Sequence, residues 1–271
     1  MTTLTTATTL DVPGARLHYE LRGSGPLIAL VGAPMDAAAF APLADLLATD
    51  HTVLTTDPRG INRSTVDHPD RDSTPAERAS DLAALLRHVD AGPATVLGSS
   101  GGAVTLLSLV ATDSALVHTA ISHEPPLDEL LPDHADLFDR TEQMIATYLT
   151  GDTRTAWRQF MAIGNLQMPD EVFEMVFGSP RTGQDAADEH FQFAHMIRHT
   201  VRFRPDIEAL LAAPTRLIVG IGEQSTGQLC DRASRALADL LGIEPTLFPG
   251  DHIGFAEQPE AFAVRLREVL G

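Results

Sequence analysis

Apolar and polar positions along this chain fall into two alternating textures. From Leu10 to Arg22 the period is two, with His18, Glu20 and Arg22 interleaved with Leu17, Tyr19 and Leu21. That pattern predicts a β-hairpin turning at Pro13-Gly14. Pro26 to Val31 (PLIALV) is an unbroken apolar run, which predicts a strand covered on both faces. A helix over Phe40 to Ala48 and a strand over Thr52 to Thr56 follow. Thr74-Pro75 opens a helix in which Leu82, Leu85, Leu86 and Val89 keep the i, i+3, i+4, i+7 spacing. Strand, helix and strand then succeed one another at Ala94 to Leu97, Ala103 to Ala111 and Val117 to Ser122.

At Pro125 the alternation stops. The pattern is helical to about Phe203, broken by Gly151-Asp152, Gly164-Asn165, Met168-Pro169 and the stretch Gly178 to Gly183. It resumes with a strand at Thr215 to Ile221, a helix at Leu229 to Leu241, a strand at Glu244 to Phe248 and a last helix from Glu257 to Leu270. A helical insert inside a strand–helix array predicts an α/β fold: an open, mostly parallel sheet flanked by helices and carrying an all-helical cap. The expected division is a core domain in two parts, 1–124 and 206–271, around a helical cap at 125–205. Ligands of such sheets bind at the carboxyl ends of the strands, so chemistry is expected in the loops that leave them.

Composition narrows the chemistry. The 271 residues suffice for one sizeable core. All 19 basic residues other than histidine are Arg, against 37 acidic ones, for a net charge of −18. A chain without lysine has no Walker A loop, no pyridoxal Schiff base and no Ser-x-x-Lys site. Strong acidity argues against nucleic acid and anionic membrane as partners. No run approaches the roughly 18 apolar residues of a membrane span, and threonine-rich Met1 to Thr9 has neither the basic nor the apolar part of a signal peptide. A cytoplasmic location is expected. With Cys230 the only cysteine, neither a disulfide framework nor a thiolate zinc site is expected, and its local sequence suggests a small packed residue.

The candidate nucleophile lies in Gly98-Ser99-Ser100-Gly101-Gly102, where a predicted strand runs directly into a predicted helix. This is G-x-S-x-G in the strand–turn–helix setting that lifts the serine hydroxyl above a sheet. The Gly101 amide at the helix start and the Ala33 amide in the loop after Val31 are the expected oxyanion donors, since Pro34 has no N–H. Among eleven histidines, His252 alone follows a strand near the C-terminus, in PGDHIGF, and is the expected base. For the carboxylate that orients it, Glu124 and Glu223 both end strands and both keep the order Ser…Glu…His; Asp251, adjacent to the histidine, is a weaker third. His195 and His199 share a helix face in HMIRH, but Met196 stands where HExxH has glutamate, and no metal is expected. The GIGEQS segment lacks the third glycine of a dinucleotide fingerprint, and no cofactor is expected. Apolar residues of the helical insert, Met144, Trp157, Met161, Phe191 and Met196 among them, suggest a substrate lining together with His195, and Met35 stands beside the oxyanion loop.

Over nearly its whole length the chain resembles the α/β-hydrolases. The resemblance is carried by GSGP at Gly23 to Pro26, by DPRGINRS at Asp57 to Ser64, by the elbow at Ser100 and by DHIGFAEQPEAF near the end. Asn62 stands where a glycine is common, a substitution suited to left-handed backbone. Within the superfamily, VLGSSGG followed by AISHEPPLDEL is similar to the zearalenone-type lactone hydrolases. In these a glutamate after the preceding strand completes the triad, which favours Glu124 here. The resemblance implies a serine hydrolase acting on a small hydrophobic ester or lactone. Carbon–carbon bond hydrolysis with the same triad and a non-catalytic ligand-binding role are the alternatives.

Overall fold

The computed structural model describes residues 5–271; the first part of the Met1 to Thr9 stretch lies outside them. Among the described residues nine strands form one sheet: β1 (Thr5–Val12), β2 (Ala15–Gly23), β3 (Leu27–Val31), β4 (Thr52–Thr56), β5 (Thr65–Val66), β6 (Ala94–Ser99), β7 (Val117–His123), β8 (Arg216–Gly222) and β9 (Thr246–Phe248). Their order is β1-β2-β4-β3-β6-β7-β8-β9, with β5 pairing β2. The pairs from β4 through β9 are parallel, and the hairpin joins one edge antiparallel. The sheet is therefore mostly parallel, as the alternation predicts. The hairpin begins earlier than expected, at Thr5, because β-branched threonines extend its outer strand. Pro245 shortens β9 to three residues.

Period-two side-chain direction sorts the strands between two cores. Ala29, Val31, Val96, Ala120 and Val219 pack on one face, under helices Pro75–Val89, Gly101–Asp113 and Leu229–Leu241. Ile28, Leu30, Leu97, Ile121 and Ile218 pack on the other, under Ala37–Leu47 and Pro259–Leu270, with Phe40, Phe255 and Phe262. Local signals set the helix starts. Asp36 accepts from the Ala38 and Ala39 amides, so the first helix opens before the expected Phe40. Thr74 and Glu77 form a reciprocal capping box.

The chain between β7 and β8 is helical, with helices His134–Leu149, Thr153–Gly164, Asp170–Phe177, Gly183–Phe191, Ile197–Val201 and Ile207–Ala212. It has a core of its own, in which Tyr148 stacks on Phe193 at 4.4 Å between ring centroids. A π-helical turn, Gln192–Met196, interrupts the path from Phe191 to Ile197. No helix among the described residues is long and apolar enough to cross a membrane.

Leu30 is fully buried in the middle of the sheet against the phenylalanine core. Leu30→Ala is expected to destabilise the protein by about 2–5 kcal/mol, measured by urea unfolding.

Candidate active site

Ser100 follows β6 and immediately precedes its helix, with backbone angles φ 56° and ψ −126°. Such geometry costs a non-glycine residue on the order of 1–3 kcal/mol and persists only where the surroundings enforce it. Here they do. The Ser100 amide donates to His123 O at 3.0 Å, tying the turn to the end of β7. A Cβ on Gly98 would lie 2.5 Å from Gly102 O, and one on Gly102 would lie 2.0 Å from Val31 O. The glycines at both sides of the elbow are therefore what let the helix start press onto β6 and β3.

Gly101 opens the helix, so its N–H is one of the donors that no helical carbonyl can take. Its Cα and Ala33 are in near contact, and both residues line one cavity with Ser100 and His252. The loop carrying Ala33 is braced from behind. Buried Asp57 accepts from the Ala37 amide at 3.0 Å and from Arg63 Nε at 2.7 Å, while Asn62 Nδ2 donates to Asp36 at 2.6 Å. Asn62 has φ 50°, the left-handed backbone expected of it.

Of the two strand-end glutamates, the structure brings Glu124 to the histidine. Glu124 is buried, and His252 Nδ1 lies 2.7 Å from its Oε2. The Gly222 amide donates to Oε1 at 2.8 Å, and the Glu124 amide donates to Gly220 O at 3.0 Å. These bonds hold Glu124 at φ 49°, in left-handed backbone. Glu223 is exposed, and its amide donates to Phe248 O at 2.9 Å, away from the imidazole. Asp251 caps the following turn through the Ile253 amide.

Burial opposes ionisation of Glu124, yet the hydrogen bond and charge of His252 hold its carboxyl down at about 2. For His252, burial works against the cation, while the Cys230 sulfur and the Glu124 carboxylate raise it well above the ordinary histidine value. The His252 side chain keeps 26% of its surface exposed, which leaves the ring reachable from the cavity. Among the described residues no hydrogen bond joins Ser100 Oγ to His252. The histidine is seated on its carboxylate, with the serine on the same cavity wall.

The cavity holds about 130 Å³, and the residues around it correct several expectations. Its apolar lining is Met144, Phe160, Ile163, Leu166, Met196 and Leu229, whereas Met35, Trp157, Met161, Phe191 and His195 lie outside it. Met35 packs against the phenylalanine core. Trp157 stacks on Phe177 within the helical segment and donates from Nε1 to Glu189 at 2.7 Å. Phe191 lines a separate cleft of about 440 Å³ beside the hairpin turn, among paired charges such as Arg59 and Asp81. His195 and His199 both turn to Asp72, at 3.0 and 2.7 Å. Within the π-helical turn, Gln192 and Met196 face the cavity while His195 does not.

Sequence reasoning also missed Cys230. It lies in the cavity wall, half-buried, beside His252 and Glu124. A position at the start of a helix that follows β8 was the available signal, since that start faces the same sheet edge as the elbow.

The alpha/beta hydrolase family model matches residues 27–265. An uncharacterized hydrolase, YraK, of Bacillus subtilis (strain 168) is 32% identical over 263 residues, covering 97% of this chain and 95% of its own. The zearalenone hydrolase of Bionectria ochroleuca is 26% identical, with 95% of each chain covered. Among solved structures, Est816, described as an N-acyl homoserine lactone degrading enzyme, matches with a TM-score of 0.70 at 20% identity, over 96% of this chain and 99% of its own.

The ion pair makes a measurable claim. His252 should titrate above about 6.5, the free histidine value, and Glu124→Gln should move it downward. NMR of the histidine ring protons checks both.

Proposed function

The chain belongs to the alpha/beta hydrolase family, and we propose that it hydrolyses small, neutral, hydrophobic carboxylic esters or lactones through Ser100, His252 and Glu124. The observation that carries this reading is the buried Glu124 carboxylate on His252 Nδ1, in the cavity that also holds the strained Ser100. With Nδ1 engaged, the imidazole has only Nε2 left for proton transfer, which is the tautomer a serine base requires.

In this mechanism Ser100 Oγ attacks the carbonyl carbon as its proton passes to His252. The tetrahedral oxyanion is held by the Gly101 and Ala33 amides. The imidazolium then returns the proton to the departing alcohol, which stays tethered if the substrate is a lactone. Water, deprotonated by His252, attacks the acyl-enzyme, and collapse frees the acid and Ser100. Glu124 stabilises the imidazolium at both stages and keeps the ring oriented.

Two features of the cavity support the substrate class. It is lined by no arginine, its polar contributors Thr141, Gln192, Thr200 and Gln228 are uncharged, and the one lining group that takes up a positive charge, His252, is already paired with Glu124. A carboxylate or phosphate on the substrate would find no unpaired counter-ion there. Its volume is close to the roughly 150 Å³ of a cavity that accepts benzene and below the roughly 300–1,000 Å³ of sites for drug-sized ligands. The segment between β7 and β8 supplies most of the lining, so in this reading its helices act as a cap, and larger substrates require them to shift.

A fluorophosphonate should label Ser100 stoichiometrically, located by peptide mass mapping. The absence of an adduct in folded protein would favour a ligand-binding role instead. Ser100→Ala and His252→Ala should each lower kcat on the order of 10⁴ to 10⁶-fold. Glu124→Gln should cost about 10⁴-fold, while Glu223→Gln leaves turnover nearly unchanged; the reverse ranking would move the acid. Because His252 must be neutral to accept the serine proton, kcat/KM should rise with pH through its raised pKa. In Glu124→Gln that limb should move to lower pH. Phe160→Ala should raise activity on bulkier esters relative to small ones, measured over a series of acyl lengths.

A further inference from the structure

The imidazole–carboxylate pair has a third neighbour that ester hydrolysis does not use. Cys230 is the second residue of the helix Leu229–Leu241, and its thiol faces the cavity. Its Sγ, a ring nitrogen of His252 and a carboxylate oxygen of Glu124 all lie within 4.8 Å of one another. These are a soft, a borderline and a hard donor, one from each side chain, converging on one point.

Zinc bonds to sulfur at about 2.3 Å and to nitrogen or oxygen at about 2.0–2.2 Å, so donors sharing one tetrahedral ion stand roughly 3.3–3.7 Å apart. The observed spread closes with side-chain movements of about an ångström. Glu124 is already held through Oε1 by the Gly222 amide, leaving Oε2 and the ring to make the adjustment. Three protein donors with the remaining position facing an open cavity is also the arrangement of an accessible zinc site.

We propose that Cys230, His252 and Glu124 form a binding site for a thiophilic divalent cation such as zinc(II) or cadmium(II), and that an occupied site blocks hydrolysis. The blocking rests on the function proposed above; the binding does not. One bond forms to each donor. The thiol proton leaves to solvent, as does the proton between Nδ1 and Glu124 where Nδ1 is the ligand, and no electrons are exchanged. The imidazole and the carboxylate are then committed to the cation and cannot take the Ser100 proton.

The test uses tag-free, chelator-treated full-length protein titrated with zinc chloride and, separately, cadmium chloride. Calorimetry reads the stoichiometry, and the ultraviolet sulfur-to-cadmium charge-transfer band reads thiolate ligation. The fluorophosphonate labelling rate of Ser100 and ester turnover are followed with and without zinc. One Cys230-dependent cation per chain is expected, with the charge-transfer band and at least roughly tenfold slower labelling. Since loss even of an outer partner costs about 10–100-fold in metal affinity, Cys230→Ser should weaken binding by at least about 100-fold. It should also abolish the band, and its inhibition is judged against its own metal-free rate. Circular dichroism establishes that the variant is folded, and Glu124→Gln should weaken binding independently.

Full affinity in Cys230→Ser, or zinc that accelerates turnover, would overturn the proposal. Labelling of Ser100 with no Cys230-dependent cation defeats this proposal and leaves the hydrolase reading standing. A Cys230-dependent site in a protein that neither labels nor turns over substrate does the opposite for binding: the site stands and the hydrolase reading fails.

Discussion

A buried carboxylate organises this molecule. Glu124 is withdrawn from solvent, where an unpaired charge would cost several kcal/mol. Its stability as an anion depends on His252 at one oxygen and the Gly222 amide at the other. Those partners come from β8 and from the loop after β9, so the charge can be satisfied only when three strand ends are in register. Gly222 is the joint. A side chain there would bring a Cβ within 2.8 Å of the Asp251 backbone and push the histidine loop off the strand. Pairing of β7 with β8 and of β8 with β9 is thus tied to the geometry of the candidate base.

The strand–helix order, the elbow and the histidine are legible in the sequence because each has a local cause. Unbroken apolar runs mark strands covered on both faces, and glycines flank a serine whose backbone no other neighbours would permit. The acid is less legible for a physical reason: β7 and β8 are each followed directly by a glutamate, and nothing local distinguishes a carboxylate folded inward from one left in water. Only the left-handed turn at Glu124 and the bond from Gly222 separate them. The substrate lining is hardly legible at all. Helical periodicity identifies an apolar face but not what the face covers, so Trp157 reads like a pocket residue although it serves the core of its own segment. Of the expected residues Met144 and Met196 do reach the cavity, whereas His195, in the same π-helical turn as Met196, faces Asp72. Cys230 has no signal beyond the place of its helix in the array.

Fold alone does not choose the substrate. Est816 matches this chain at a TM-score of 0.70 with only 20% identity, which shows a common scaffold and nothing of the cavity. The cavity beneath this chain's helical segment is narrow and mostly apolar. Met144 and Met196 in its wall are flexible side chains that repack at small cost. The wall can therefore change without disturbing the sheet, whereas the elbow and the acid cannot.

The junction between these two regimes is short. Glu124 is followed directly by Pro125 and Pro126, and Pro126 already lines the cavity. Two fixed φ angles stiffen the chain where it leaves the buried charge. Movement of the helices beyond is therefore met first by proline and then by the hydrogen bonds on Glu124, each more costly to break than a shift between methionine and leucine side chains. A displacement that admits a larger substrate is taken up after Pro126, among the helices themselves. The Glu124 carboxylate is thus tied to the sheet by its own hydrogen bonds, whereas the cavity wall above it rests on side-chain packing alone.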